Sequence, residues 1–167
     1  MTDRTILLVR HAKADRPAGV ADVDRPLTAR GHADAGAVGA WLAHRGYRPD
    51  LVICSPAKRT RQTWHGIALG MADASDDPGS PEVDYRAEVY DGDAADLVDL
   101  LTGVDDAATT VMIIGHNPSV SSASALLDPA HGNELRTSGI AVHRFTGSWV
   151  DCGRGTAPLT ETHTARG

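Results

Sequence analysis

Ile6-Leu7-Leu8-Val9-Arg10-His11-Ala12-Lys13 is an apolar run of strand type that ends abruptly in an arginine and a histidine. In an open α/β sheet, ligands bind outside the carboxyl ends of the strands. A permanently charged guanidinium beside a titratable imidazole suits one task well: holding a phosphate while attacking it. The dipeptide alone would equally fit a surface pair at a strand end. Matching chemistry behind the later strands decides between the two readings.

Outward from this run, the pattern alternates strand and helix, which predicts a largely parallel sheet covered on both faces. Thr5 to Val9 is the first strand. Thr28 is a plausible N-cap for a helix running to about His44, with Ala35, Val38 and Leu42 at helical spacing and Gly46 as its stop. Leu51-Val52-Ile53-Cys54 is short and continuously apolar, as buried parallel strands are. A helix from about Ala57 to Met71 follows, then a polar Gly/Pro-rich loop over 73–81 where mobility is expected. Glu82 to Tyr85 reads as a strand, Ala94 to Leu101 as a helix, and Thr110 to Ile114 as the most β-prone run. Pro118 suits the first turn of a helix continuing from Ser119 to Leu127. Ser138 to Phe145 reads as a later strand at a sheet edge. From Gly153 the chain turns polar, and disorder is expected over about 160–167. The sequence thus predicts one α/β domain over 1–167.

Composition sets the classes that remain open. A chain of 167 residues with 41% hydrophobic and 23% charged content can bury a single core, and at 4% aromatics that core must be aliphatic. The net charge of −6 argues against a general nucleic-acid or anionic-membrane surface, although a few arginines can still dominate one cleft. Cys54 and Cys152 show no metal-like spacing, and Cys54 sits in a strand, so a reduced cytoplasmic setting is expected. The short N-terminal strand is no signal-peptide core, and no run approaches the ~18 apolar residues of a membrane helix. Neither nucleic acid nor membrane is expected as a partner.

Four polar clusters stand behind four strands. Arg10 and His11 follow the first, Ser55-Pro56-Ala57-Lys58-Arg59-Thr60-Arg61-Gln62-Thr63 the second, Glu88 the third, and Gly115-His116-Asn117-Pro118 the fourth. If the strands are parallel, these groups converge on one cleft. A phosphoryl group needs positive charge and directed hydrogen bonds on its oxygens, plus an in-line nucleophile. Arg10 and Arg59 can supply bidentate contacts, and His116 a further hydrogen bond. His11 can attack phosphorus directly, provided its second ring nitrogen is fixed by an acceptor such as a backbone carbonyl. The helix opening near Ala57 can add its positive end.

In this order, these residues resemble the histidine phosphatase superfamily, and within it the small SixA-type phosphohistidine phosphatases. The resembling segments are LLVRHAKAD (7–15), DRPLTARG (24–31), LVICSPAKRTRQT (51–63), AEVYDG (87–92), IIGHNPSV (113–120) and, more weakly, LRTSGIAVHRF (135–145). The resemblance implies a three-layer α/β/α sandwich of phosphoglycerate mutase type, mostly parallel with an antiparallel edge strand. It implies no metal or organic cofactor. His11 would be the transiently phosphorylated nucleophile, with Arg10, Arg59 and His116 forming the phosphate pocket. Ala12 stands where the superfamily most often has glycine, which reads as a subfamily trait.

Larger members use a carboxylate after the third strand as general acid, and Glu88 falls there; Asp22 and Asp24 are rivals. Arg25 would touch phosphate or pair with a nearby aspartate. A leaving imidazole needs little help from an acid. His32, His44 and His65 read as helix-surface residues, and His131, His143 and His163 show no ligand spacing. Lys58 and Arg61 read as solvated, Thr137-Ser138-Gly139 as a structural turn. A metal site on His11 and His116 is disfavoured by the flanking arginines. The expected partner is a phosphohistidine protein. A small phosphoester is the alternative, and a non-catalytic phosphate-binding module is a third, weaker reading.

Overall fold

The structure, a computed structural model, describes residues 1–165. Six strands form one sheet in the order β3-β2-β4-β1-β5-β6. They are β1 (Asp3–Arg10), β2 (Leu51–Cys54), β3 (Glu82–Tyr85), β4 (Thr110–Gly115), β5 (Gly139–Thr146) and β6 (Leu159–Thr164). β1, β2, β3 and β4 run parallel to one another, whereas β5 is antiparallel to both β1 and β6. Five helices pack on the sheet: α1 (Ala29–Arg45), α2 (Lys58–Ala74), α3 (Ala87–Asp91), α4 (Ala94–Thr102) and α5 (Ser119–Leu127).

The period of a strand sorts β1 between two cores. Ile6 and Leu8 face α4 and α5, packing with Leu97, Leu101, Val120 and Leu127. Leu7 and Val9 face the opposite way, toward Val38 and Leu42 of α1 and Ile67 and Met71 of α2. All four are fully buried, so the strand has no solvent face and reads as a continuous apolar run. These two layers around the sheet make the α/β/α sandwich. Cys54 and Cys152 are both buried and free, and burial pushes the Cys54 thiol up to about 12.

Thr28 caps α1 by accepting from the Gly31 N–H at 3.0 Å, and Gly46 ends it in the left-handed conformation at φ 78°. Helices α1 and α2 cross closely enough that glycine is required between them. A methyl on Gly39 would fall on the carbonyl oxygen of Ile67 and 2.8 Å from the Met71 nitrogen. Backbone cannot yield as a side chain can, so the clash outweighs the ~1 kcal/mol that alanine gains in a helix. Gly39→Ala is therefore expected to destabilise by about 2 kcal/mol, lowering the thermal midpoint by about 5 °C; an unchanged melting curve would refute this packing.

Two expectations need correction. β5 is not an edge strand, because β6 lies outside it; β6 is the edge. The supposed disordered tail contains β6, whose polar Leu-Thr-Glu-Thr-His-Thr pattern hides a paired strand. Its side chains are tied down: the Tyr47 hydroxyl donates to Glu161 at 2.5 Å, Arg45 does so at 2.9 Å, and His163 stacks on Trp41 at 4.5 Å. The part of that expectation at 166–167 lies outside the described residues. Helix α3 went unread because five residues carry too little periodicity, and α2 runs past its expected end at Met71 to Ala74. Among the described residues, no helix is long and apolar enough to cross a membrane.

Candidate active site

Parallel pairing places Arg10 opposite Gly115 and Cys54 opposite Ile114, so the ends of β1, β2 and β4 share one edge. A cavity of about 300 Å³ opens there, and Arg10, His11, Arg25, Arg59 and His116 all line it. β1 delivers Arg10 and His11, the first turn of α2 delivers Arg59, and the turn after β4 delivers His116. The Asn117–Pro118 peptide that follows is cis.

His11 is held on three sides. Its backbone N–H donates to Gly115 at 3.0 Å, and its carbonyl accepts from the Ser138 N–H at 3.1 Å. Ser138 reaches that position in the left-handed region at φ 61°, a conformation costly for a residue with a Cβ. The Thr137-Ser138-Gly139 turn thus supports the His11 backbone, and Thr137 also lines the cavity. The next N–H, from Ala12, donates to the buried Thr63 hydroxyl at 3.0 Å, and Gln62 accepts from Leu27 at 2.8 Å. These contacts explain why Gln62 and Thr63 follow Arg59 in the sequence.

The His11 ring is oriented by its own neighbour. Nδ1 lies 2.7 Å from the Ala12 carbonyl oxygen, an atom that only accepts, so Nδ1 carries the proton. Nε2 keeps its lone pair. Burial is the main cause that pulls the ring's pKa down to about 4; the Ala12 bond opposes it, and Arg59, Arg10 and Arg25 lower it further. The His11 ring is therefore neutral at neutral pH.

His116 is arranged in the opposite sense. Its Nε2 lies 2.8 Å from the Ser55 hydroxyl, which is fully buried and already accepts from the Ala57 N–H at 3.2 Å. A serine hydroxyl can donate to or accept from a ring nitrogen, so this bond fixes the position of Nε2 without fixing the ring's proton. The His116 Nδ1 is buried without a partner, as are Nε of Arg10 and Nε of Arg59. All three residues line the one cavity, where two guanidiniums and an imidazole suit an oxyanion. Burial, then the neighbouring His11 at 5.3 Å between ring centroids, lowers His116 to about 3.

The carboxylate in this site is Asp22. Its backbone carbonyl and Oδ2 accept from Arg59 at 2.7 and 3.0 Å, its Oδ1 from Arg25 at 3.1 Å, and its Oδ2 also from the Tyr90 hydroxyl at 2.7 Å. The Tyr90 bond, followed by those from the two arginines, holds Asp22 far below the usual carboxylate range. Arg25 pairs with an aspartate, one of the two alternatives expected of it, and it also lines the cavity. Glu88 does not enter the cavity. It sits in the first turn of α3 and binds Arg86 at 2.6 Å, which lowers its pKa. A carboxylate kept ionised and turned aside does not match the general-acid position anticipated for it. Asp24 ends the 3-10 turn with its side chain in solvent.

Ser55 and Asn117 stand in the polar clusters behind β2 and β4, and Tyr90 in the segment 87–92, but the sequence assigns none of them a role. Ser55 lay in view, directly behind β2, but hydroxyls are too common after strands to signal a role. Asn117 donates to the Leu135 carbonyl at 2.8 Å, which Arg10 also contacts at 3.2 Å. His32, His44 and His65 are exposed as expected, and no three His, Cys, Asp or Glu side chains among the described residues cluster to hold a metal.

The depressed imidazole pKa gives a pH prediction with a definite sign. Protonation removes the His11 lone pair, so kcat/KM, which reports the free enzyme, should hold down to about pH 5 and fall as pH passes through about 4. A fall centred near 6.5, after correction for substrate ionisation, would place the titrating ring in water instead.

Comparisons with known proteins bear directly on this geometry. Residues 6–89 match the model of the histidine phosphatase superfamily, branch 1. The uncharacterized protein Rv1276c of Mycobacterium tuberculosis (strain H37Rv) is 34% identical over 168 residues, covering 95% of this chain and all of that protein. The solved structure of the protein named SixA from Nakamurella multipartitia superposes with a TM-score of 0.84 at 32% identity, over 99% of this chain and 98% of that one. SixA from Agrobacterium tumefaciens gives 0.78 at 27% identity, over 96% and 97% of the two chains.

Proposed function

The chain belongs to the histidine phosphatase superfamily, and from that premise we propose that it is a metal-independent phosphatase that removes phosphate from phosphohistidine in a protein. The observation that carries the reading is the His11 ring. Its Nδ1 is tied to the Ala12 carbonyl, and its free Nε2 lies in the same cavity as Arg10, Arg59 and His116. In the first step Nε2 attacks phosphorus, an N–P bond forms to His11, and the bond from phosphorus to the leaving imidazole breaks. Water then attacks the phosphorylated His11, releasing inorganic phosphate and restoring the lone pair. Arg10 and Arg59 offset the charge on the equatorial oxygens in both steps, with the His116 ring beside them in the same cavity.

The substrate assignment is supported by the end-to-end likeness to two SixA proteins, which are named as phosphohistidine phosphatases. It also fits the absence of a dedicated acid among the residues lining the cavity, because an imidazole leaves far more readily than an alkoxide. The test is phosphate release from a phosphohistidine peptide and from a panel of small phosphoesters, with EDTA present. Release from the peptide, unaffected by EDTA, is expected. Preference for a sugar phosphate or nucleotide would keep the mechanism and overturn the substrate.

A further inference from the structure

The cavity carries more positive charge than one phosphoryl group employs. Around His11, the groups Arg10, Arg59 and His116 account for the oxyanion donors, yet Lys13 and Arg16 line the same cavity. Arg25 is already committed to Asp22 and to the Asp15 carbonyl, the latter at 2.9 Å. The Lys13 ammonium and the Arg16 guanidinium have no hydrogen-bond or ion-pair partner among the described residues. The nearest acid in sequence, Asp15, uses Oδ1 to accept from the Arg16 backbone N–H at 2.8 Å. In a chain of net charge −6, five cations line one cavity, and of these only Arg25 and Arg59 are ion-paired among the described residues, both with Asp22, which is a local reversal of sign.

These two cations stand on braced backbone. The Lys13 carbonyl accepts from Thr28 at 2.9 Å, Asp15 donates to Pro26 at 2.8 Å, and Ala14 bridges Leu27 in antiparallel fashion. The segment is therefore a short two-stranded ladder tied to the start of α1, and its side chains are presented from a fixed base. Uncompensated like charges held together raise the energy of the free protein and lower it again when an anion arrives. A single phosphate satisfies the donors around His11 and leaves Lys13 and Arg16 without a counter-ion.

Building on the phosphatase reading, we propose that Lys13 and Arg16 form a subsite for a second anionic group of the substrate, a carboxylate or second phosphate beside the transferred phosphoryl group. On a phosphorylated protein this group is an Asp or Glu flanking the phosphohistidine. On a small molecule it is a second phosphate or a carboxylate.

The experiment uses two matched pairs: phosphohistidine peptides flanked by Glu or by Gln, and a sugar bisphosphate against its monophosphate. The wild-type protein should prefer the doubly anionic member of at least one pair by about tenfold in kcat/KM, and the pair that shows it identifies the source. Lys13→Gln/Arg16→Gln should bring that ratio close to one. Equal rates within both pairs in the wild type, or a preference undiminished in the double variant, would overturn the subsite. Failure of the phosphatase reading is distinguishable, since no member of either pair would then be turned over. In that event the same ratio is read by calorimetry, as affinity for inorganic pyrophosphate against inorganic phosphate. A difference that the double variant abolishes supports the subsite; equal affinities, or a difference that survives, refute it.

Discussion

Replacing His11 with alanine is expected to lower kcat by a factor on the order of 10⁴ to 10⁶, the range seen when a covalent nucleophile is removed. The size follows from the role proposed for the residue: without Nε2 no N–P bond can form, and water must attack a phosphorylated substrate directly. Binding should survive much better. Arg10, Arg59 and His116 reach the cavity from β1, α2 and the turn after β4, and each keeps a hydrogen bond that does not involve His11. The backbone contacts of His11 to Gly115 and Ser138 persist in the variant, so the fold should be retained. Two measurements separate nucleophile from scaffold. Rapid quench of the wild type with a ³²P-labelled substrate should trap an acid-labile, alkali-stable phosphoprotein that His11→Ala does not form. Calorimetry should show phosphate bound by the variant within about tenfold of wild-type affinity. A phosphoprotein still formed by the variant would place the nucleophile elsewhere, and His116 would be the next ring to test.

The parts of this site that the sequence discloses are those that lie directly behind buried strands. Arg10, His11 and His116 each follow an apolar run whose burial on both faces makes it conspicuous, and Arg59 opens the helix after another. What it hides depends on contacts between distant segments. Asp22 becomes the partner of Arg59 and Tyr90 only because the 3-10 turn at 22–24 folds over the start of α2. Ser55 anchors the ring of a histidine 61 residues away. Glu88 shows the converse error: its position after β3 suggested the cleft, but Arg86, two residues earlier, captures it. Likewise β6 lacks an apolar run because it is an edge strand with alternating half-buried and exposed residues, and its pairing is decided by β5.

The second large effect is expected at Arg59, where alanine should lower kcat by about 10² to 10³, the loss typical of one preorganised transition-state donor. Arg59 is 6% exposed, and its Nε is buried without a partner while its two terminal nitrogens are held by Asp22. The guanidinium is thus fixed in plane before substrate arrives, at little further entropic cost. Arg59→Lys keeps a positive charge but loses that plane and the second hydrogen bond, so it should recover less than one tenth of the lost activity. If charge alone were at work, lysine would restore most of it. Arg61 provides the control two residues on: it is exposed, and its Nε donates to the Pro56 carbonyl at 3.0 Å. Arg61→Ala should leave turnover within about twofold of wild type. Loss of Arg59 also releases Asp22 and with it one anchor of the 22–24 turn, which raises KM; the kcat deficit at saturating substrate is the part that belongs to the transition state. A variant that lost only affinity, with kcat intact, would make Arg59 a clamp for bound substrate and shift the work of charge stabilisation to Arg10 and His116.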